Sequence, residues 1–139
     1  MKKSERAIVV ILRIIGIGGL FAIPAILLPF SWMNRIHEFL GLGELPDAPI
    51  VRYLARSLSA FYAIVSAMTL FISLDIRRNR SLVKVLAIMF AVAGVVLLGI
   101  DIESALPMSW TLCEGPPVIA VGVIILVLHR HIVEPTDTT

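Results

Sequence analysis

The chain has 139 residues, 58% of them apolar and only 16% charged, with a mean hydropathy of +0.96. A soluble domain is usually about 45–50% apolar and about 25% charged, and a 15.2 kDa globule has too little interior to hide this much apolar surface. The formal net charge of +2 sits at the ends of apolar runs rather than on one face, which fits membrane orientation and excludes a nucleic-acid partner.

One cysteine, Cys113, leaves no room for an intramolecular disulfide or a multi-thiolate metal site. His37, His129 and His131 fall in no metal-ligand spacing, so no metal and no cofactor is expected. Gly16, Gly18 and Gly19 follow no strand and lie inside an apolar run. Close helix packing explains them better than a nucleotide loop.

A hydrocarbon core about 30 Å thick requires about 20 helical residues, and four runs qualify. The first is 7–30, interrupted only by Arg13. The second is 50–74, free of charge from Ser57 onward, and the third is 81–100, with Lys84 near one end. The fourth, 108–128, contains Glu114, Gly115, Pro116 and Pro117. Prolines lack the amide hydrogen and disfavour helix in the preceding residue, so this span is expected to break there. The runs do not alternate as barrel strands would. The expected fold is an all-α bundle of four transmembrane helices in a single domain.

Met1 to Arg6 followed by an apolar run resembles a secretory signal. The run exceeds the usual core of about 7–15 residues, contains Arg13, and has bulky Ile23 where a small residue should precede cleavage. A retained first helix is expected. Lys2, Lys3 and Arg6 precede it, Arg77, Arg78, Arg80 and Lys84 join spans two and three, and Arg130 follows span four. By the positive-inside rule both termini are cytoplasmic, with Arg13 snorkelling back to that side. Trp32 and Trp110 then fall at the opposite interface, where indole rings prefer to sit.

Between spans one and two, Trp32, Met33, Ile36, Phe39 and Leu40 recur at helical spacing, with Asn34, Arg35, His37 and Glu38 on the other face. This reads as a short amphipathic helix in the membrane surface, ended by Gly41, Gly43, Pro46 and Pro49. The segment 134–139 is polar and expected to be disordered.

The second span carries Arg52, Arg56, Ser59, Tyr62, Ser66, Thr69, Ser73 and Arg77 within one arc of about 140°. Such a stripe should face the protein interior, either for helix–helix hydrogen bonds or as the wall of a polar cavity. Arg56 and Glu114 each lie about 9 Å inside their spans from the outer side, so mutual pairing is expected. Asp101 and Glu103 end span three at that level and can meet Arg52. With Tyr62, Trp110 and His37 around them, these residues form the candidate site: Arg52, Arg56, Tyr62, Asp101, Glu103, Trp110 and Glu114. They read either as a clamp between spans two and four or as a ligand site.

The stretch GLGELPDAPIVRYLARSLSAFYA, the ISLDIRR end of span two and the later SWTLCEGPP resemble uncharacterised bacterial four-helix membrane proteins. In size and layout the chain also resembles the DoxX-like group. The resemblance covers about residues 30–120 and implies a bacterial inner membrane, but no activity. The expected function is a non-enzymatic structural or accessory membrane protein, in a homo-oligomer or beside another membrane subunit. The alternative is a module that binds or transports a small amphipathic molecule or lipid headgroup, with Arg52 and Arg56 as anion contacts. An enzyme is the weakest reading, since there is no Ser-His-Asp set, metal box or dinucleotide loop, although Glu103 and Glu114 are paired carboxylates of the kind that handle protons.

Overall fold

The computed structural model describes residues 1–132. The chain forms α1 (Lys3–Leu20), α2 (Ile23–Leu27), α3 (Phe30–Phe39), α4 (Pro49–Leu74), α5 (Arg80–Glu103) and α6 (Met108–His129), with no strand among the described residues. Four helical stretches are long and apolar enough to cross a membrane: Lys3–Leu27, Pro49–Leu74, Arg80–Glu103 and Met108–His129. The 24 residues of α5, at about 1.5 Å each, exceed a hydrocarbon core of about 30 Å. The expected polar tail, 134–139, lies outside the described residues.

Local chemistry sets the boundaries. Pro24 cannot donate to the carbonyl of Leu20, so α1 stops there and the chain resumes as α2 after two residues in a turn. The first apolar run is therefore two helical pieces rather than one. Pro49 opens α4 at the position where a missing N–H costs nothing. The short amphipathic helix is α3, and Trp32, Ile36, Phe39 and Leu40 are all exposed along it. Its end is a Schellman turn: Leu42 N–H donates to His37 and Gly41 N–H to Glu38, with Gly41 at φ 76°. The same pattern closes α5, where Leu106 N–H donates to Asp101 and Ala105 N–H to Ile102. There an alanine holds the left-handed position, at φ 50°.

The break expected at Glu114–Pro117 does not occur. α6 runs continuously from Met108 to His129 through both prolines. Gly115 explains how the helix survives. Lacking a Cβ, it relieves the clash with Pro116 and lets α5 come close. A Cβ there would lie 2.8 Å from Leu98 Cβ and 3.1 Å from the Gly94 carbonyl oxygen. Packing against α5 holds the prolines in a helix, as neighbouring helices commonly do in membranes.

The helices pack as two tight pairs, α1 with α4 and α5 with α6, joined through α1 and α6, while α4 and α5 barely meet. Glycines set both pairings. A Cβ on Gly16 would lie 2.5 Å from Leu70 Cγ, and one on Gly19 would overlap Ser66 Oγ. A Cβ on Gly122 would lie 2.5 Å from the Ala91 backbone nitrogen. The buried apolar core draws on one end of every long helix: Ile8, Val9 and Leu12, then Ile72 and Ile76, Val83, Leu86 and Ala87, and finally Ile125 and Ile132. We call this the terminal end, since Met1 and Ile132 both lie towards it; the loop end carries α2, α3 and the α5–α6 turn.

Candidate functional site

The polar stripe of α4 is half buried and half open. Ser66, Thr69 and Ser73 are buried towards the terminal end, whereas Arg56 and Tyr62 are exposed towards the loop end. Three of its hydroxyls bond within their own helix. Ser59 donates to the carbonyl of Ala55 at 2.9 Å, Thr69 to Val65 at 2.8 Å and Ser73 to Leu70 at 2.6 Å, all within α4. Ser66 serves the packing instead: its small side chain lies against Gly19 and its carbonyl against Gly16, where α1 comes to close range. Interhelical hydrogen bonding by this stripe, one of the two sequence readings, is thus corrected for these three hydroxyls.

The seven site residues sit near the loop end but do not pair as depth alone predicts. Arg52 takes Asp47 as its partner at 2.5 Å and lies 5.8 Å from the centre of the Phe30 ring. It does not reach Asp101 or Glu103. A carboxylate five residues away in the same turn is met with far less ordering of the chain than one on another helix. Arg56 is exposed, and among the described residues its guanidinium donates one long 3.4 Å bond, to the carbonyl of Leu28, where α2 ends. Glu114 instead accepts from Trp110 Nε1 at 2.5 Å, one turn back on α6. The expected Arg56–Glu114 pair is not formed. Equal depth places two residues at one level and leaves their directions around the helix axes free.

Part of the cluster does assemble. Trp110 and Glu114 share a face of α6, and Glu114 lies within electrostatic range of the Tyr62 hydroxyl on α4. His37 is held elsewhere, donating from Nδ1 to the Gly43 carbonyl at 2.8 Å. Glu103 is exposed at the last position of α5. Asp101 is 3% exposed, and its Oδ2 has no hydrogen-bond partner among the described residues. Its backbone carbonyl, by contrast, closes the Schellman turn by accepting from Leu106 at 3.1 Å.

The strongest polar contact lies at the other end. Glu5 is fully buried, and its two oxygens accept from Arg77 Nε at 3.0 Å and Arg77 NH2 at 2.8 Å. One of them also accepts from the backbone N–H of Lys2 at 2.8 Å, capping α1. This fork-to-fork geometry is the strong form of an ion pair. The hydrogen bond and charge of Glu5 hold the Arg77 guanidinium even more firmly protonated than usual. Beside it, Asp75 Oδ1 accepts from the N–H groups of Arg77 and Arg78, shaping the turn that presents Arg77. His129 Nε2 donates to the Arg80 carbonyl at 3.0 Å and ties the end of α6 to the start of α5.

The Glu5–Arg77 contact is absent from the sequence expectations, in which Arg77 ends the polar stripe of span two and Glu5 carries no role. The signal was present. Glu5 shares the spacing of Ile8, Val9, Leu12 and Gly16, all buried on one face of α1, and a carboxylate on such a face requires a counter-charge.

Together these features define a multi-pass helical protein with four candidate membrane spans, fastened at one end. No protein family, curated protein or solved structure matches the chain. Among the described residues, no group of three or more His, Cys, Asp or Glu is placed to hold a metal ion.

Proposed function

We propose that the chain is a non-enzymatic protein of the bacterial inner membrane, with both termini cytoplasmic, serving as a structural or accessory subunit. One observation carries this reading: the Ser59, Thr69 and Ser73 hydroxyls of α4 bind their own helix, while the strong long-range contact, Glu5–Arg77, fastens α1 to the turn after α4. Such chemistry builds a scaffold. In this orientation α3 lies in the outer membrane surface with Trp32, Ile36 and Phe39 towards lipid. The apolar residues exposed along all four long helices, among them Leu58, Ile64, Val95 and Ile124, supply surface for lipid, for a second copy or for another membrane subunit.

The test is native mass spectrometry of protein purified in mild detergent. A defined oligomer, or a complex with another membrane polypeptide, free of retained small molecules supports the subunit role. Reporter fusions after Thr139 and within 41–49 should report cytoplasm and outer side respectively. A second reading, a binding module for an amphipathic molecule, is favoured by Arg56, which has no carboxylate partner among the described residues and shares the loop end with Tyr62 and Glu114. That reading requires a retained molecule that disappears in Arg56→Gln.

A further inference from the structure

Arg13 is the least expected charge in the fold. It lies inside α1, seven residues beyond Arg6, hence about 10 Å further along the axis. It is exposed, and its neighbours Val10, Ile14 and Ile17 are exposed apolar side chains. An ionised side chain within a span normally faces the protein interior or meets a counter-charge. Arg13 does neither among the described residues, where the ion pairs are Arg52–Asp47 and Arg77–Glu5.

The carboxylates of the described residues do not answer it. Glu5 is committed to Arg77, and Asp75 accepts from the amides of its own turn. Glu38, Glu44, Asp47, Asp101, Glu103 and Glu114 belong to the loop end. A second copy inserted in the same direction places the same described groups at the same levels, so it brings none of these carboxylates to Arg13. The lipid phosphate layer, by contrast, lies on the side towards which Arg13 points. Helical Cα–Cβ bonds tilt towards the N-terminus, and the long arginine stem carries its head the same way. Seven residues also bring Arg6 and Arg13 to within about 20° of one another around the axis.

We propose that Arg6 and Arg13 form a site for one anionic phospholipid in the leaflet at the terminal end. The two guanidiniums clasp the headgroup phosphate, and an acyl chain runs along Val10, Ile14 and Ile17. Arginine suits this task because its planar fork matches phosphate oxygens in a bidentate manner. The absence of a free carboxylate beside the pair in the described fold favours a net-negative headgroup over a zwitterionic one. The site lies at the opposite end from Arg56 and does not depend on the accessory role.

The test is competition between phosphatidylglycerol and phosphatidylcholine, supplied equally in mixed micelles and read as bound lipid by native mass spectrometry. The wild-type chain should retain phosphatidylglycerol preferentially. Arg13→Gln should lower that retention roughly fivefold, as expected for one basic side chain at an anionic headgroup. The double change Arg6→Gln with Arg13→Gln should level the two lipids. Arg35→Gln, the same loss of charge on α3, should behave as wild type. Arg13→Leu makes α1 more apolar and so protects insertion; it should keep its helical circular dichroism and still lose the preference. Arg13→Gln retaining phosphatidylglycerol like wild type, or Arg35→Gln losing as much, would overturn the site. Cross-linking from position 17 to an acidic helix of another polypeptide, with no lipid preference, would also overturn it and assign the face to a protein partner.

Discussion

The two ends of the bundle hold themselves together in different ways. The terminal end holds the polar contacts that are longest in sequence: Glu5 to Arg77 spans 72 residues and His129 to Arg80 spans 49. At the loop end the short contacts are local. Asn34 meets Glu38 and the Leu45 amide, His37 meets Gly43, Arg52 meets Asp47 and Trp110 meets Glu114, none more than eleven residues apart. Long-range bonds must be carried by packed helices, and the buried apolar core lies at that same end. Local bonds shape a loop but do not join helices. The terminal end therefore behaves as the fastening of the fold, and the loop end as a surface free to present different side chains.

The largest expected effect comes from undoing that fastening. Arg77→Ala removes the bidentate partner of the buried Glu5 carboxylate, and breaking a buried ion pair in this way generally costs about 3–5 kcal/mol. The Lys2 amide and the open side of the Arg77 position, which lets water approach, put this case at or below the lower limit. Glu5→Gln should cost less, because the released guanidinium can turn to water. Thermal unfolding in detergent should rank Arg77→Ala below Glu5→Gln and both below wild type. The opposite order would mean that Glu5 is held chiefly by the cap on α1.

A second set of changes tests whether packing, unlike charge, joins the helices along their whole length. A Cβ on Gly94 would stand 2.6 Å from the backbone nitrogen of Ile119, and one on Gly122 would stand 2.6 Å from the carbonyl oxygen of Ala87. Backbone cannot give way as a side chain can, so Gly94→Ala and Gly122→Ala should each destabilise by about 1–3 kcal/mol. Gly18 and Gly99 face open space. Alanine there should be neutral or should stabilise by up to about 1 kcal/mol through helix propensity. If all four variants unfolded together in the same assay, the close approach of α5 and α6 would not be what these glycines serve.

The contrast between the ends also explains what could be read from the chain alone. Four spans, the short amphipathic helix and its Gly41 stop follow from composition, periodicity and turn chemistry, all local properties. The continuity of α6 was not legible, because Pro116 and Pro117 argue for a break until Gly94 and Leu98 are known to lie against Gly115. For the charges, axial rise gave the level of Arg56 and Glu114. Nothing in a single helix says which neighbour it turns towards, so the partners proved to be Leu28 and Trp110. Glu5 was legible in principle by its place on the buried face of α1. Its partner was not, because that depends on the Asp75 turn bringing Arg77 back over α1.

Smaller effects belong to the loop end. The turn after α5 places Ala105 at φ 50°, the position where the equivalent turn after α3 uses Gly41. A left-handed residue with a Cβ costs about 1–2 kcal/mol, and part of that gain is returned as the extra freedom of glycine in the unfolded chain. Ala105→Gly should therefore stabilise by about 0.5–1 kcal/mol, seen as a raised unfolding temperature. A loss of stability would show that the Ala105 methyl makes a contact worth more than the strain.

The smallest expected effect is the interaction energy between Arg56 and Glu114. Arg56 is exposed with one long bond to a carbonyl, and Glu114 is occupied by Trp110. Arg56→Ala should change stability by no more than about 0.5 kcal/mol, the range of ordinary surface substitutions. Glu114→Ala should cost more, because it frees the Trp110 indole N–H from a charge-assisted bond, generally worth about 1.5–3 kcal/mol. Residues without a shared partner add within about 0.3–0.5 kcal/mol, so the double variant should show the sum of the two single losses. A double variant more stable than that sum would mean that the pair forms in the bilayer, with α4 and α6 drawn together at the loop end. A long-range ion pair would then fasten the loop end as one fastens the terminal end.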